Sequence, residues 1–266
     1  MKLSLVVIDP QIDFCDPDIG SLCVAGALQD MTRLASLVKK SHKKIDEIFV
    51  TLDSHTRIHI AHPNFWRNSA GNQPPPFTQI TAQQVRDGEW IPARLSLRNR
   101  ALAYVEALEA AKKFNLVIWP IHCVIGTPGA AVIPVLQDAL NYWQDQRLLN
   151  VYSVPKGSNP FTEHYSAIKA EVVDPSDPTT DFNTTFLDAV NNSDVVLLAG
   201  EASSHCVANT IIDSVNYFGG QSDFVKKLVL LKDATSPVTG FEAQADKMIA
   251  DMKALGMQIS TTKDWM

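Results

Sequence analysis

Short apolar runs rich in β-branched residues recur along this chain and predict the strands of a sheet. Each run is apolar at consecutive positions, which is typical of a parallel strand buried on both faces. The runs cover Leu3–Ile8, Ile45–Leu52, Leu116–Trp119, Val151–Val154, Val195–Ala199 and Leu228–Leu231, with a weaker one at Met257–Ser260.

Helical periods separate most of these runs. Apolar stripes with helical spacing are formed by Leu28, Met31, Leu34, Ala35 and Val38, by Ala208, Ile211, Ile212, Val215 and Phe218, and less regularly by Ala243, Met248, Met252 and Leu255. Alternating strands and helices predict an α/β fold, a doubly wound and mainly parallel sheet with helices on both faces. We interpret residues 1–266 as a single domain.

One segment, at about residues 63–97, interrupts this alternation. It contains three consecutive prolines at positions 74–76, few aliphatic residues, and the aromatic residues Phe65, Trp66, Phe77 and Trp90. It is too long for an ordinary connection, so it is predicted to be an inserted functional loop, a lid or an oligomer contact. The alternative is a surface excursion held in place by its own aromatic side chains.

Composition and charge exclude several classes of protein. The 266 residues are 45% hydrophobic and 20% charged, which argues against a disordered, collagenous or coiled-coil chain. A net charge of −6 disfavours general nucleic-acid binding. Four cysteines without CxxC spacing favour a reduced, cytoplasmic protein. No apolar run is long enough to predict a membrane span.

Polar residues follow several predicted strands, where ligands bind in open parallel sheets. They are Asp9, the pair Asp53 and His55, His122, Lys156 and Cys206. Because the carboxyl ends of parallel strands meet at one edge of a sheet, we expect these side chains to converge.

Three of these residues have both a chemical and a structural interpretation. Cys206 begins a predicted helix, where the dipole favours a thiolate nucleophile, although a single cysteine is more often buried and inert. Burial of Asp9 at a strand end would raise its pKa toward a value useful for proton transfer, although an Asp before proline also forms turns. Lys156 ends another strand and is by composition alone a solvated lysine.

Asp53, His55 and His122 offer one carboxylate and two imidazoles, a set suited to Zn²⁺, Fe²⁺ or Mn²⁺. Asp53 and His55 point the same way in an extended segment. His59 and His62 could also reach a metal, or the spacing of His55, His59 and His62 could place them on one face of a helical turn.

The combined motifs resemble the isochorismatase-like cysteine hydrolases, and in particular their nicotinamidase branch. The resemblance covers nearly the whole chain except roughly residues 63–97. Its motifs are Asp9-Pro-Gln-Ile-Asp-Phe14, Gly20-Ser-Leu-Cys-Val-Ala-Gly26, Asp53-Ser-His55 with His59, Trp119-Pro-Ile-His122-Cys-Val-Ile-Gly-Thr-Pro-Gly129, Lys156-Gly before Tyr165-Ser-Ala, and Gly200-Glu-Ala-Ser-Ser-His-Cys206-Val-Ala-Asn-Thr210.

The resemblance implies a catalytic triad of Asp9, Lys156 and Cys206. It implies a divalent metal, most often Zn²⁺ with Fe²⁺ or Mn²⁺ as alternatives, held by Asp53, His55 and His122, and no organic cofactor. The metal of nicotinamidases holds the pyridine nitrogen of the substrate. The oxyanion donors would be the backbone N–H groups of Ala202 and Cys206, with a cis peptide between Glu201 and Ala202.

The activity implied is hydrolysis of nicotinamide to nicotinate and ammonia through a thioester. The alternatives are hydrolysis of another small amide or of a vinyl ether, and a non-catalytic binding protein that kept the fold. The aromatic residues Phe14, Phe65 and Trp66 are candidate walls for a planar ring, with core packing as the alternative. We expect a small-molecule substrate, no nucleic-acid or membrane partner, and a homo-oligomer.

Overall fold

A six-stranded sheet lies at the centre of the molecule, and each of its strand pairs is parallel. The computed structural model describes residues 1–112, 114–220 and 222–266. In chain order the strands are β1 (Leu3–Ile8), β2 (Glu47–Asp53), β3 (Trp66–Arg67), β4 (Gln79–Ile80), β5 (Ile91–Pro92), β6 (Leu116–Val117), β7 (Tyr152–Lys156), β8 (Val195–Gly200), β9 (Leu228–Leu231) and β10 (Gln258–Ser260).

The α-helices follow the same chain order. They are α1 (Ile12–Cys15), α2 (Ala27–Lys40), α3 (Ala82–Asp87), α4 (Arg98–Ala110), α5 (Pro134–Arg147), α6 (Thr184–Asn191), α7 (Cys206–Tyr217), α8 (Ser222–Val225) and α9 (Glu242–Leu255). The three predicted apolar stripes lie on α2, α7 and α9. No helix in the described ranges is both long and apolar enough to cross a membrane.

The order of strands in the sheet is β10-β9-β8-β1-β2-β7. The chain therefore builds outward from β1 through β2 to β7, and then returns to the other side of β1 with β8. This reversal leaves a crevice at the carboxyl ends of β1 and β8, where doubly wound folds bind ligands. Register pairs Ile8 with Gly200 and Asp53 with Lys156, so the residues that follow these strands lie at one level.

Two apolar layers cover the sheet because neighbouring residues of a strand point to opposite faces. Leu3, Leu5 and Val7 of β1 pack in one core with residues of α2 and α5. Val6 and Ile8 pack in the other, with residues of α4, α6, α7 and α9. The predicted doubly wound α/β architecture is confirmed.

The run Leu116–Trp119, predicted as a strand of the main sheet, lies elsewhere. Its residues Leu116 and Val117 form β6, which pairs antiparallel with β4. The neighbour of β2 on that side of the sheet is β7. An apolar run indicates that a strand is buried but does not indicate which strand it pairs with. The sequence pattern therefore assigned this run to the wrong sheet.

The segment at 63–97 packs into one of the two cores through its aromatic residues. Phe65, Trp66 and Trp90 are 3%, 0% and 9% exposed and share a cluster with Val6 of β1. Phe77 is 54% exposed, so it is the aromatic side chain of this segment that stays near solvent. Three of the four aromatic residues thus hold this segment against the core.

Candidate active site

Asp9 follows β1 directly and is fully buried. Its Oδ1 accepts a hydrogen bond from Thr51 Oγ1 at 2.5 Å, and its Oδ2 lies 2.9 Å from Lys156 Nζ. Burial raises the pKa of Asp9, the Lys156 ammonium opposes that shift, and the net direction is upward. The carboxyl is therefore a better proton acceptor than an exposed aspartate.

Lys156 ends β7 with a side chain that is 1% exposed. Its Nζ lies 2.9 Å from Asp9 Oδ2, donates to Asp53 Oδ1 at 2.9 Å, and donates to the His164 carbonyl at 2.8 Å. Burial lowers the pKa of this ammonium, but Asp53 and Asp9 outweigh burial and hold it well above its usual value. Lys156 is thus a permanent cation shared by two buried carboxylates.

Cys206 is the first residue of α7 and is 7% exposed. Its Sγ lies 3.6 Å from Lys156 Nζ. Burial, with smaller contributions from Asp9 and Asp53, raises the pKa of the thiol well above its usual value even though Lys156 lowers it. The helix start therefore does not produce a resting thiolate, and a base is needed to remove the proton.

The segment that joins β8 to α7 places unpaired backbone donors beside the thiol. Within the described ranges, neither the Ala202 nor the Cys206 N–H has a hydrogen-bond acceptor. Both residues line the same pocket. The peptide bond between Glu201 and Ala202 is cis, as the resemblance implied. Two free N–H groups beside a thiol are what an oxyanion site requires.

Asp53, His55 and His122 form a second buried cluster beside the triad. Asp53 Oδ2 lies 3.1 Å from His55 Nε2 and 3.5 Å from His122 Nε2. Burial would lower the pKa of His55, but the Asp53 carboxylate raises it to about 9. Asp53 itself is held well below its usual pKa because His55 and Lys156 outweigh the effect of burial.

Backbone carbonyls fix the orientation of these imidazoles. His55 Nδ1 donates to the Gly157 carbonyl at 3.0 Å, and His122 Nδ1 donates to the Pro120 carbonyl at 2.8 Å. A carbonyl can only accept, so each Nδ1 carries a proton, and each Nε2 is the atom that would offer a lone pair to a cation once its own proton is released. Histidines that bind metals are commonly oriented in this way, by a carbonyl or carboxylate on the other ring nitrogen.

His62, which the sequence left undecided, belongs to this cluster. One nitrogen each from His55, His62 and His122 lies within 4.8 Å of the others. His62 Nδ1 is 3.3 Å from the Arg57 carbonyl, and its buried Nε2 has no hydrogen-bond partner in the described part of the chain. An orphaned buried nitrogen facing two other imidazoles fits a cation.

His59 has a different environment. Its Nε2 donates to the Thr162 carbonyl at 3.1 Å, and its Nδ1 accepts from the Ala61 N–H at 3.2 Å. His59 can also be grouped with His55 and Glu163 as a possible ligand set. Because the backbone occupies both of its ring nitrogens, we favour the group that contains His62.

The His122 segment reaches this rim through loop contacts. His55 N–H donates to the Cys123 carbonyl, and Ile125 N–H donates to the His55 carbonyl, both at 3.0 Å. Cys123 has a positive φ of 46°, and its N–H donates to Asp13 Oδ2 at 2.6 Å. These bonds hold His122 beside Asp53 although no strand of the main sheet leads into it.

Gly157 makes the close approach between the two clusters possible. Its φ is +81°, and a Cβ at this position would lie 2.9 Å from His55 Cε1 and 3.0 Å from Asp53 Oδ1. A side chain here would displace the imidazole or the carboxylate.

A pocket adjoins both the thiol and the cation cluster. It has an empty volume of about 400 Å³, including the part open to solvent. Its walls are mainly aromatic and aliphatic, with polar groups from both clusters: Phe14, Leu22, Val24, Asp53, Trp119, His122, Glu163, Tyr165, Ala202, His205, Cys206 and Val238. Such a pocket suits a small, partly apolar ligand.

Phe14 lines this pocket, with its ring centroid 5.4 Å from that of His122. Phe65 and Trp66 do not line it, because their side chains are buried in the core. Trp119 and Tyr165 do line it and were not predicted, although both stand within the motifs that carry His122 and Lys156. A hydrogen bond of 2.9 Å from Trp119 Nε1 to the Tyr165 hydroxyl joins them.

Comparison with known proteins found no matching family model and no matching curated protein. Solved structures do match over nearly the full length. The yeast nicotinamidase is 22% identical, with 97% of this chain and 98% of that chain covered and a TM-score of 0.64. An Acinetobacter baumanii nicotinamidase/pyrazinamidase is 22% identical, with coverage of 100% and 98% and a TM-score of 0.67.

A third match is the Pyrococcus horikoshii pyrazinamidase, solved in complex with zinc. It is 20% identical, with 98% of this chain and 99% of that chain covered and a TM-score of 0.59. This chain has the nicotinamidase fold. The fold resemblance inferred from the sequence motifs is thereby confirmed. The pocket lined by Asp53, His122 and Cys206 is the candidate active site of this fold.

Proposed function

We propose that this protein is a cysteine amidohydrolase that cleaves a small planar carboxamide, with nicotinamide as the first substrate to test. The observation that carries the proposal is the position of the Cys206 thiol. It lies 3.6 Å from Lys156 Nζ, which is itself 2.9 Å from Asp9 Oδ2, in a pocket lined by Ala202 and Cys206, whose N–H groups have no acceptor among the described residues. A nucleophile, a base and an oxyanion site suffice for acyl transfer.

The reaction follows from the protonation states of these groups. Asp9 accepts the thiol proton, and the sulfur forms a bond with the carboxamide carbon. The N–H groups of Ala202 and Cys206 stabilise the oxyanion. One such donor typically lowers the activation free energy by about 3 kcal/mol. When the C–N bond breaks, Asp9 returns its proton to the leaving ammonia. Water then hydrolyses the thioester, releasing a carboxylic acid and restoring the thiol.

Lys156 keeps Asp9 oriented and offsets the negative charge of the thiolate. Its pKa is held well above the usual value, so it stays charged throughout and does not act as the proton carrier. Asp9, whose pKa burial raises, is the group suited to hold the proton between the two steps.

We propose Asp53, His55, His62 and His122 as the residues that would hold a divalent cation. Imidazole and carboxylate ligands suit Zn²⁺, Fe²⁺ or Mn²⁺, and the Pyrococcus horikoshii pyrazinamidase is in complex with zinc. When bound, the cation would supply a Lewis acid that anchors a ring nitrogen of the substrate. The protein's own contribution is the fixed Nδ1–H tautomer of His55 and His122.

The test is ammonia release from nicotinamide, pyrazinamide and benzamide by the metal-analysed protein. Cys206→Ala should abolish turnover and leave the metal content unchanged. Cys23→Ala is the matched control, because Cys23 is exposed and outside the pocket lining. Full activity of the Cys206 variant would refute the proposed nucleophile.

The same assay separates the alternatives. Activity on other amides but not on nicotinamide would keep the chemistry and change the substrate. Cleavage of a vinyl ether with no amide turnover would favour the isochorismatase-type reaction. A protein that binds pyridine amides without turning over any of them would favour the non-catalytic interpretation.

A further inference from the structure

A pair of buried carboxyl groups, Glu201 and Asp30, lies beside the loop at 201–205, which leads to Cys206 and is called the nucleophile loop below. The reaction proposed above does not use this pair. Glu201 is fully buried, and Asp30 on α2 is 2% exposed. The two carboxyl groups are within hydrogen-bonding reach of each other. Arg33 forms an ion pair with Asp30, so this cluster contains one cation and two carboxyl groups.

Hydrogen bonds tie this pair to the loop at 235–238 and to the nucleophile loop. Ser236 N–H donates to Glu201 Oε2 at 3.1 Å, and Ser236 Oγ donates to Asp30 Oδ2 at 2.6 Å. The Ser236 carbonyl accepts from Ser203 N–H at 2.9 Å, and Val238 N–H donates to Ser204 Oγ at 3.0 Å. The segment that carries Ala202 and Cys206 is therefore fastened to α2 through Ser236.

One oxygen is left over in this network. Glu201 Oε1 is buried and has no donor among the described residues. The single Ser236 hydroxyl hydrogen is already directed to Asp30, so ionisation of Glu201 would leave Oε1 as a buried, negatively charged oxygen without a donor among the described residues. A carboxylic acid at Glu201 resolves this, because its proton can point to Asp30 while Oε2 still accepts from Ser236.

We propose that Glu201 is a positioning residue that works as a neutral carboxylic acid, donating its proton to Asp30 and thereby fixing the loop that presents the Ala202 and Cys206 N–H groups. The catalytic part of this inference rests on the proposed amidohydrolase function, whereas the presence of the proton does not. Burial, reinforced by Asp30, also raises the pKa of Glu201 well above its usual value.

The charged and titratable groups that face Glu201 are Asp30 and Arg33 from α2, Cys15 from α1, and Cys23 from the segment after it. Burial raises the pKa of both thiols from their usual value of 9.0, so they stay neutral between about pH 5 and 8. Arg33 stays charged throughout. In this range Glu201 is therefore the group whose proton is released on unfolding.

The first experiment compares the unfolding of wild type and Glu201→Gln from pH 5 to 8. The folded wild type holds a proton that the unfolded chain releases, so its stability falls relative to the glutamine variant as pH rises. The ratio of their unfolding constants should change by about tenfold per pH unit below the folded-state pKa. Parallel pH curves would overturn the proposal, whatever the substrate proves to be.

The second experiment measures kcat and KM on an amide that the wild type hydrolyses. Glu201→Leu removes both hydrogen bonds and should lower kcat by about tenfold or more with little change in KM, because loss of a single oxyanion donor costs about 10²–10³. Glu201→Gln keeps an acceptor for Ser236 and a donor for Asp30, and should restore most of the lost kcat. Equal impairment of both variants, or a Glu201→Leu variant as active as wild type, would overturn the positioning role. If Glu201→Leu does not fold, the pH comparison with Glu201→Gln decides.

Discussion

The two polar clusters of this pocket are built by different means. Asp9 follows β1 directly, Lys156 ends β7, and Cys206 begins the helix reached by the short loop after β8, so the carboxyl edge of the parallel sheet brings the three together. His62 and His122 lie in loops, and backbone carbonyls set the direction of their rings. The first cluster depends mainly on strand register, whereas the second combines Asp53 at the end of β2 with imidazoles placed by loop conformation.

Lys156 joins the two clusters, because its ammonium lies 2.9 Å from a carboxylate oxygen of each. The charges of the first cluster (Asp9, Lys156 and Cys206) and of the second cluster (Asp53 and the histidines) are consequently coupled. A change in either cluster should affect the other mainly through this residue.

Lys156→Met should have the largest effect, because it disturbs both clusters at once. It leaves Asp9 and Asp53 buried without their shared cation, which should cost about 3–5 kcal/mol in the free energy of unfolding and remove measurable activity. Denaturant unfolding and ammonia release are the measurements. Lys247→Met is the control, because Lys247 pairs with Asp251 on the surface with a side chain 75% exposed, and should change stability by less than about 0.5 kcal/mol. Equal stability losses in the two variants would contradict the shared-cation interpretation.

Asp9→Asn should damage the first cluster and spare the second. The variant keeps an acceptor for Thr51 but loses the base, so kcat should fall by about 10²–10⁴-fold. Metal content should stay at the wild-type level. If metal is lost together with activity, the clusters are less separable than the geometry indicates.

His62→Ala should weaken cation binding in the second cluster and leave the first cluster intact. Removal of a direct ligand should lower metal affinity by at least about tenfold, since even the loss of a group that only orients a ligand has an effect of that size. His59→Ala is the matched control, because both nitrogens of His59 are bonded to backbone groups. Competition with a chelator, followed by metal analysis, gives the affinities. A larger loss of metal in the His59 variant would assign the ligand to His59 instead.

His205→Phe should change the acid dependence of stability and leave stability at neutral pH least affected. Burial lowers the pKa of His205 to about 4, so the folded chain does not bind a proton that the unfolded chain accepts below about 6.5. Stability is therefore lost as pH falls from about 6.5 toward 4, by at most about tenfold per pH unit in the unfolding constant. Thermal unfolding between pH 7 and 4 should show a shallower loss in the variant than in wild type. Identical losses in the two proteins would argue against a neutral, buried His205.

Much of the first cluster could be predicted, because the ends of buried strands can be recognised from the apolar runs in the sequence. Asp9, Lys156 and Cys206 follow buried apolar runs, and the carboxyl ends of parallel strands must share an edge. Burial of Asp9 and its upward pKa shift follow from the same position. A resting thiolate at the start of α7 is not supported, because burial raises the pKa of the Cys206 thiol well above its usual value and Asp9 adds to that shift.

The sequence by itself determined the strands of the main sheet, the helices α2, α7 and α9, and the chemical identity of the groups at the sheet edge, because these depend on local periodicity and on which residues follow each strand. Tertiary structure alone decided that Leu116 pairs outside the main sheet, that Phe65 and Trp66 enter the core, and that His62 rather than His59 has a free nitrogen. Those outcomes depend on contacts between residues far apart in the chain, and a side chain's type does not specify its partner.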